Sequence, residues 1–234
     1  MTVTALVFDV FGTVVDWRSS VAREVAAAAR RIGVETDGIA LADAWRAAYA
    51  PSMDRVRKGE LPWTTIDGLH RAALDALLPR FGLAALDEAA RDHLNRAWHR
   101  LDPWPDSVAG LRRLRHRYTL ATLSNGNVAL LATMAKHARL PWDVILSAEL
   151  FGHYKPDAEV YDGACRLLDL PPAQVMMVAA HNGDLRAAAA RGLATAFVAR
   201  PTEYGPAQTR DLAADGPWDV VCASFTGLAS ALGC

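Results

Sequence analysis

The chain predicts an α/β fold, a doubly wound parallel sheet carrying an inserted block of helices. Three features support that expectation. Short apolar runs recur at 5–17, 118–127, 175–184 and 195–200, and the first three break into turns rich in Gly, Asn, Asp or Thr. Helical patterns lie between the later runs, and alternation of strand and helix indicates βαβ units in a parallel sheet. The stretch 17–98 is different, being almost entirely amphipathic helix.

The elements follow in order. "ALVFDVFGTVVDW" (5–17) reads as a buried strand that runs straight into Asp9. The insert then reads as "WRSSVAREVAAAARRIG", "LADAWRAAYAPSMDRVRKG", "TTIDGLHRAALDALLPRFG" and "LDEAARDHLNRAWHR", with stops at Gly33, Pro51, Gly59 and Gly82. The α/β pattern resumes near Pro103. "YTLATLSNGN" (118–127) is a strand, "NVALLATMAKHA" (127–138) a helix and "DVILSAE" (143–149) a further strand. "AEVYDGACRLLDL" (158–170) is a helix, "VMMVAAHNGD" (175–184) a strand and "GDLRAAAARGL" (183–193) a helix. "TAFVAR" (195–200) and "DVVCAS" (219–224) add the last strands.

At 234 residues the chain has room for one full core and a smaller lobe. Its composition, 52% hydrophobic and 22% charged with a formal net charge of −1, exerts no long-range pull on nucleic acid or anionic membrane. No apolar run approaches the roughly 20 residues that span a bilayer, and no basic segment precedes the first strand. Three cysteines, Cys165, Cys222 and Cys234, show no C-x-x-C spacing. That argues against a disulfide framework or a zinc site and fits a reducing, cytoplasmic setting. Cys165 reads as a small core residue.

Ligands of open α/β sheets bind beyond the carboxyl ends of the strands. Those ends carry Asp9-Val-Phe-Gly-Thr13, Ser124-Asn125-Gly126-Asn127 and His181-Asn182-Gly183-Asp184. Three polar clusters facing a helical lobe describe a cleft. An ionised carboxylate at a dry strand end is costly unless paired, so Asp9 is a turn aspartate, a metal ligand or a nucleophile. Gly12 permits a tight turn and Thr13 offers a hydroxyl. Ser124 and Asn125 serve either a turn or an anion. Lys155 precedes Pro156 and a helix start, where a cation is disfavoured; a carboxylate partner, Asp9 or Asp184, resolves the misfit. Asp184 either caps the next helix or acts as a general base near His181. No HExxH, GxGxxG or GxxxxGK[ST] is present.

Taken in order, D-x-F-G-T, S-N, K-P and H-N-x-D, the chain resembles the haloacid dehalogenase superfamily along essentially its whole length. "RPTEYGP" (200–206) is also similar to the L-2-haloacid dehalogenase (type II) branch. The resemblance implies a Rossmann-like core of residues 1–16 and 99–234 and a helical cap subdomain of residues 17–98. Most of the superfamily are magnesium-dependent phosphatases, whose first motif resembles D-x-D-x-T. Phe11 occupies the position of the second aspartate here. It neither donates a proton nor suits a hard cation, whereas halide departure needs neither.

The resemblance implies that no metal or other cofactor is used. Asp9 is the implied nucleophile on C2 of a 2-haloacid, oriented by Thr13 and Lys155. Ser124 and nearby backbone N–H groups hold the substrate carboxylate, and Asn125 with Arg46 receives the halide. Asp184, with His181, activates the water that hydrolyses the ester. Phe11, Tyr161 and Asn182 complete the implied substrate site. The lobe that faces Asp9 is expected to include Trp17, Trp45 and Trp63, with the choice of those that line the pocket left open. A homodimer through the helical lobe is implied, with no nucleic-acid or membrane partner. Ala179-Ala180-His181 stands where known members of the branch carry a Ser-Ser-Asn-type sequence, which implies a different placement of water or of Lys155.

Overall fold

The strand Ala5–Phe8 (β1) lies at the centre of the molecule with all four side chains fully buried. The computed structural model describes residues 2–234. Valine, leucine and phenylalanine in unbroken succession suit a strand covered on both faces. The chain next forms Val15–Asp16 (β2), then the helices Trp17–Arg31 (α1), Gly38–Ala47 (α2), Tyr49–Arg57 (α3), Ile66–Leu77 (α4) and Glu88–Asn95 (α5). Asp102–Pro103 (β3) pairs antiparallel with β2, so the helical insert leaves and rejoins the chain at one two-stranded ribbon.

The remaining elements are Ser107–Leu114 (α6), Thr119–Ser124 (β4), Val128–Ala138 (α7), Val144–Ser147 (β5), Ala158–Leu168 (α8) and Val175–Ala179 (β6). They are followed by Asn182–Ala190 (α9), Ala194–Val198 (β7), Val220–Cys222 (β8) and Phe225–Ala231 (α10). The main sheet has the order β5-β4-β1-β6-β7-β8, and every pairing in it is parallel. The chain builds outward from β1 through β4 to β5, then returns to the other side of β1 at β6. This reversal is the switch point at which open sheets bind ligands, and Asp9, Ser124 and the 180–184 turn end the three strands that meet there.

Alternation along the strands divides the core. Val7, Ala121, Leu123 and Met177 pack with α8 and α9, against Tyr161, Cys165, Leu185 and Ala188. Leu6, Phe8, Leu120 and Val178 pack with α6, α7 and α10, against Leu111, Leu131, Met134 and Phe225. The apolar side chains of the insert, among them Trp17, Trp45, Leu74 and Trp98, are continuous with this second cluster. Four of the five insert helices start on a side-chain cap, Asp16, Asp37, Thr65 and Asp87 accepting from backbone N–H groups three residues on.

Several elements differ from the sequence expectation. Pro51 does not end a helix: the break falls at Ala48, and Pro51 sits in the first turn of α3. A first-turn residue needs no N–H for intrahelical bonding, so proline is tolerated there. The helices α6 and α10 and the β2–β3 ribbon have no counterpart in the expected elements. They are short, with eight, seven and two residues per element respectively, and offer few periods to read. No described helix is long and apolar enough to cross a membrane.

Candidate active site

Asp9 directly follows β1, and its backbone N–H donates to the Val178 carbonyl of β6 at 3.0 Å. The turn after it is made by Gly12, at φ 83°. That turn returns Thr13 to the carboxylate: its Oγ1 donates to Asp9 Oδ2 at 2.7 Å and accepts from Ala180 N–H at 2.9 Å. One hydroxyl therefore ties the ends of β1 and β6 together around the carboxylate.

Lys155 lies in the loop before α8 with its side chain 7% exposed. Its Nζ donates to Asp9 Oδ1 at 2.9 Å and to Asp184 Oδ2 at 2.5 Å. Asn125 holds the lysine backbone, its Oδ1 accepting from Lys155 N–H at 2.7 Å. Asp184 does not cap α9; His181 occupies the cap position and Asp184 stands in the first turn. Its second oxygen accepts from the Tyr161 hydroxyl at 2.6 Å. Both carboxylates proposed as partners of Lys155 thus share its ammonium.

His181 bridges two further carboxylates. Its Nδ1 lies 3.1 Å from Asp9 Oδ2 and its Nε2 lies 2.8 Å from Glu203 Oε2. A carboxylate only accepts, so each ring nitrogen facing one must donate, and the ring is an imidazolium. Glu203 is 1% exposed, and its other oxygen accepts from the Trp17 indole N–H at 3.0 Å.

These pairings set the charge states. Burial alone would raise the Asp9 pKa, but Lys155, then His181 and Thr13, outweigh it and hold the group well below the usual carboxylate range. Burial would lower Lys155; Asp184 and Asp9 reverse this and raise it. His181, disfavoured as a cation by burial, is driven well above its ordinary value by Glu203 and Asp9. Glu203, which burial would raise, is lowered by His181. Burial and the neighbouring Asp184 raise the Tyr161 phenol, which stays a donor.

The site opens into a cavity of about 260 Å³. Asp9, Lys155, Asp184, Tyr161 and His181 supply its titratable lining, and Phe11, Arg46, Tyr49 and Asn125 line it as well. The Arg46 guanidinium stacks 4.3 Å from the Tyr49 ring centroid, and its buried Nη1 has no hydrogen-bond partner. A buried donor without an acceptor is costly, and on a residue that lines the cavity it favours an anionic or acceptor atom of a ligand.

The structure brings together Asp9, Phe11, Thr13, Arg46, Asn125, Lys155, Tyr161, His181 and Asp184. It does not bring in Ser124 or Asn182. The Ser124 hydroxyl is fully buried and accepts from Gly126 N–H, which commits it to the turn after β4. The Asn182 amide points away, donating to Asp211 and the Ala213 carbonyl and accepting from Trp218 and Asp215 N–H. Trp17 and Trp45 are fully buried behind the cavity, and the half-exposed Trp63 stacks on Tyr154 outside it. None of the three lines the cavity, whose aromatic lining is Phe11, Tyr49 and Tyr161. Sequence reasoning missed Tyr49 of the cavity lining and Glu203, the latter within the quoted 200–206 segment. The signal of Glu203 was an acid in an otherwise uncharged stretch after Arg200, and only its burial gives that acid meaning.

The haloacid dehalogenase-like hydrolase family model matches residues 3–192. (S)-2-haloacid dehalogenase 1 of Pseudomonas sp. (strain CBS-3) is 32% identical over 222 residues, covering 89% of this chain and 91% of that protein. A crystal structure of an L-2-haloacid dehalogenase superposes with a TM-score of 0.95 at 55% identity over 98% of both chains. One of a defluorinating L-2-haloacid dehalogenase does so with a TM-score of 0.96 at 50% identity, covering 99% of this chain and 96% of that one. With its carboxylate-ended β1 at the switch point and these similarities along its length, the chain belongs to the haloacid dehalogenase-like hydrolases, in the L-2-haloacid dehalogenase branch.

Proposed function

We propose that this protein hydrolyses short (S)-2-haloalkanoic acids to 2-hydroxy acids through an ester on Asp9, without a metal ion. The observation that carries the reading is the Asp9 carboxylate itself, with its hydrogen bonds distributed unequally. Oδ2 accepts from both Thr13 and His181, which occupies its two lone pairs, whereas Oδ1 accepts only from Lys155. Oδ1 therefore retains a lone pair for attack on C2. The cavity is small, which suits a short acid, and the free Nη1 of Arg46 with the Asn125 amide receives the departing halide. Backbone groups of the turn after β4 hold the substrate carboxylate.

Water then adds to Cγ of the ester as Asp184 takes one of its protons. Cleavage of the Cγ–Oδ1 bond frees the hydroxy acid as Asp184 returns that proton to the departing Oδ1, and the second proton of the water leaves to solvent as the Asp9 carboxylate is restored. Phe11 presents a ring where a phosphatase of this fold needs an acid, and Lys155 already bridges the two carboxylates nearest the cavity. In this reading the helices of residues 17–98 act as a cap that supplies Arg46 and Tyr49 to a core of 1–16 and 99–234. The protein works in the cytoplasm, in keeping with its three free cysteines, and as a homodimer through the cap.

The test is halide release from racemic 2-chloropropionate in the presence of EDTA, with consumption of the (S) enantiomer only. A single turnover in H₂¹⁸O should leave label in Asp9. No halide release alongside magnesium-dependent release of phosphate from an aryl phosphate, or label in the product alone, would overturn the reading.

A further inference from the structure

Glu203 is a buried acid beside the nucleophile turn with no part in the steps above. It is almost completely enclosed, accepts from Trp17 and faces His181 at 2.8 Å. The fold makes room for it at the nucleophile turn: a Cβ on Gly12 would lie 2.1 Å from Glu203 Oε1. A buried carboxylate wedged against that turn is costly to maintain unless its charge is used.

The use follows from which Asp9 oxygen each group touches. When Oδ1 is bonded to C2 in the ester, Oδ2 is the carbonyl oxygen. Addition of water to Cγ moves an electron pair from the C=O bond onto Oδ2, and collapse returns it as the Cγ–Oδ1 bond breaks. The groups already aimed at Oδ2 are Thr13 Oγ1–H at 2.7 Å and His181 Nδ1–H at 3.1 Å. We propose that Thr13 and cationic His181 form the oxyanion hole for hydrolysis of the Asp9 ester, with Glu203 as the positioning residue that keeps both ring nitrogens of His181 protonated. His181 then acts as a charged donor, and the proton of the attacking water goes to Asp184. Preorganised donors of this kind lower the barrier because they are in place before charge develops.

Every titratable or charged side chain facing the imidazole enters this account. Asp9 and Glu203 bond its two nitrogens, Lys155 pairs with Asp9, and Arg46 favours the charged form of Glu203. Conversion of Asp9 to a neutral ester removes one of the two carboxylates that hold the ring as a cation. Glu203 alone then preserves its charge in the step that needs it.

The inference rests on the proposed aspartyl-ester route and is tested with Glu203→Gln in pre-steady-state reactions with (S)-2-chloropropionate. A glutamine accepts from Trp17 through its oxygen and donates to His181 Nε2 through its amide, leaving a neutral ring that still donates from Nδ1. The expected result is a halide burst at the wild-type rate or faster, followed by hydrolysis slowed about 10- to 100-fold. A protein species heavier by one carboxyethyl group should accumulate. The hydrolysis rate of the wild type should fall on the alkaline side as His181 loses its proton, besides any acid limb from protonation of Asp184. Glu203→Gln should move the alkaline fall to lower pH while leaving the acid limb in place.

His181→Asn, which keeps a neutral donor, is the second variant; it should accumulate the same adduct and lose the alkaline fall. An acid limb that shifts with Glu203→Gln would show His181 to be a base and overturn the proposal. So would unchanged hydrolysis in His181→Asn. No burst and no adduct in the wild type would instead fail the ester route, and this inference with it.

Discussion

Gly12 and Glu203 share one space: a side chain on the glycine would begin 2.1 Å from the glutamate Oε1, at a backbone φ of 83° that L residues rarely adopt. Gly12→Ala should therefore cost stability through strain and displacement together, on the order of 1–3 kcal/mol. Its effect on halide turnover should exceed what that loss of folded protein explains, because the displaced carboxylate belongs to His181. Thermal unfolding and steady-state halide release on the folded fraction check the two parts separately.

Lys155→Met should strand Asp9 and Asp184 together without their shared ammonium. Breaking a buried pair on one side costs about 3–5 kcal/mol near neutrality. Halide release should fall by at least about 10²-fold, the scale of a lost electrostatic contact at a reacting centre. The stability deficit should shrink as the pH falls, since one of the stranded carboxyls then takes a proton. In the wild type the depressed Asp9 pKa gives the opposite sign, a contribution present above its unfolded value and lost as acid reaches the folded one. Urea unfolding of both proteins across the acid range tests this.

Arg46→Lys should behave as a severe change despite the retained charge. The planar guanidinium of this cavity-lining residue stacks on Tyr49 and carries a buried, unpartnered Nη1; an ammonium reproduces neither feature. The expected loss in kcat/KM is about 10²-fold, with the burst of halide slowed rather than the later ester hydrolysis. Rapid-quench measurement of the first turnover distinguishes these.

His70 gives a pH prediction for the fold rather than the chemistry. Its ring stacks on Trp98 at 4.2 Å between centroids, and neither nitrogen has a hydrogen-bond partner among the described residues. Burial, with Arg46 and His99 opposing the pull of Asp67, lowers its pKa to about 3. Below the unfolded value of 6.5 the unfolded chain takes up a proton that the folded one refuses, so stability falls from there towards pH 3. His70→Phe should remove this fall and raise stability at pH 5, where denaturant midpoints of the two proteins should diverge most clearly from their values at pH 8.

What the sequence revealed and what it hid have a common physical basis. Asp9, Lys155 and Asp184 were legible because each breaks a local rule: a carboxylate ends a buried strand, a cation precedes a helix, and an acid follows a strand-end turn. Tyr49 and His70 lie on helices of the insert, where an aromatic or a histidine fits either face, and nothing local reveals that the first borders the cavity and the second is packed in the core. Ser124 and Asn182 occupied the right turns but faced the wrong way, since turn geometry and a ligand can each use the same hydroxyl or amide. Glu203 needed the third dimension, its partners Trp17 and His181 being 186 and 22 residues away.

The interleaving of charges has a consequence for the order of events. At rest the site balances, with Asp9, Asp184 and Glu203 matched by Lys155, His181 and Arg46. A bound haloacid brings one uncompensated negative charge. Attack on C2 only moves charge from Asp9 to the halide, so the surplus persists until the halide leaves and electroneutrality returns. Hydrolysis regenerates Asp9 beside the product carboxylate and recreates the surplus. The same imbalance that expels the halide then expels the hydroxy acid, and each half of the cycle ends by discarding an anion.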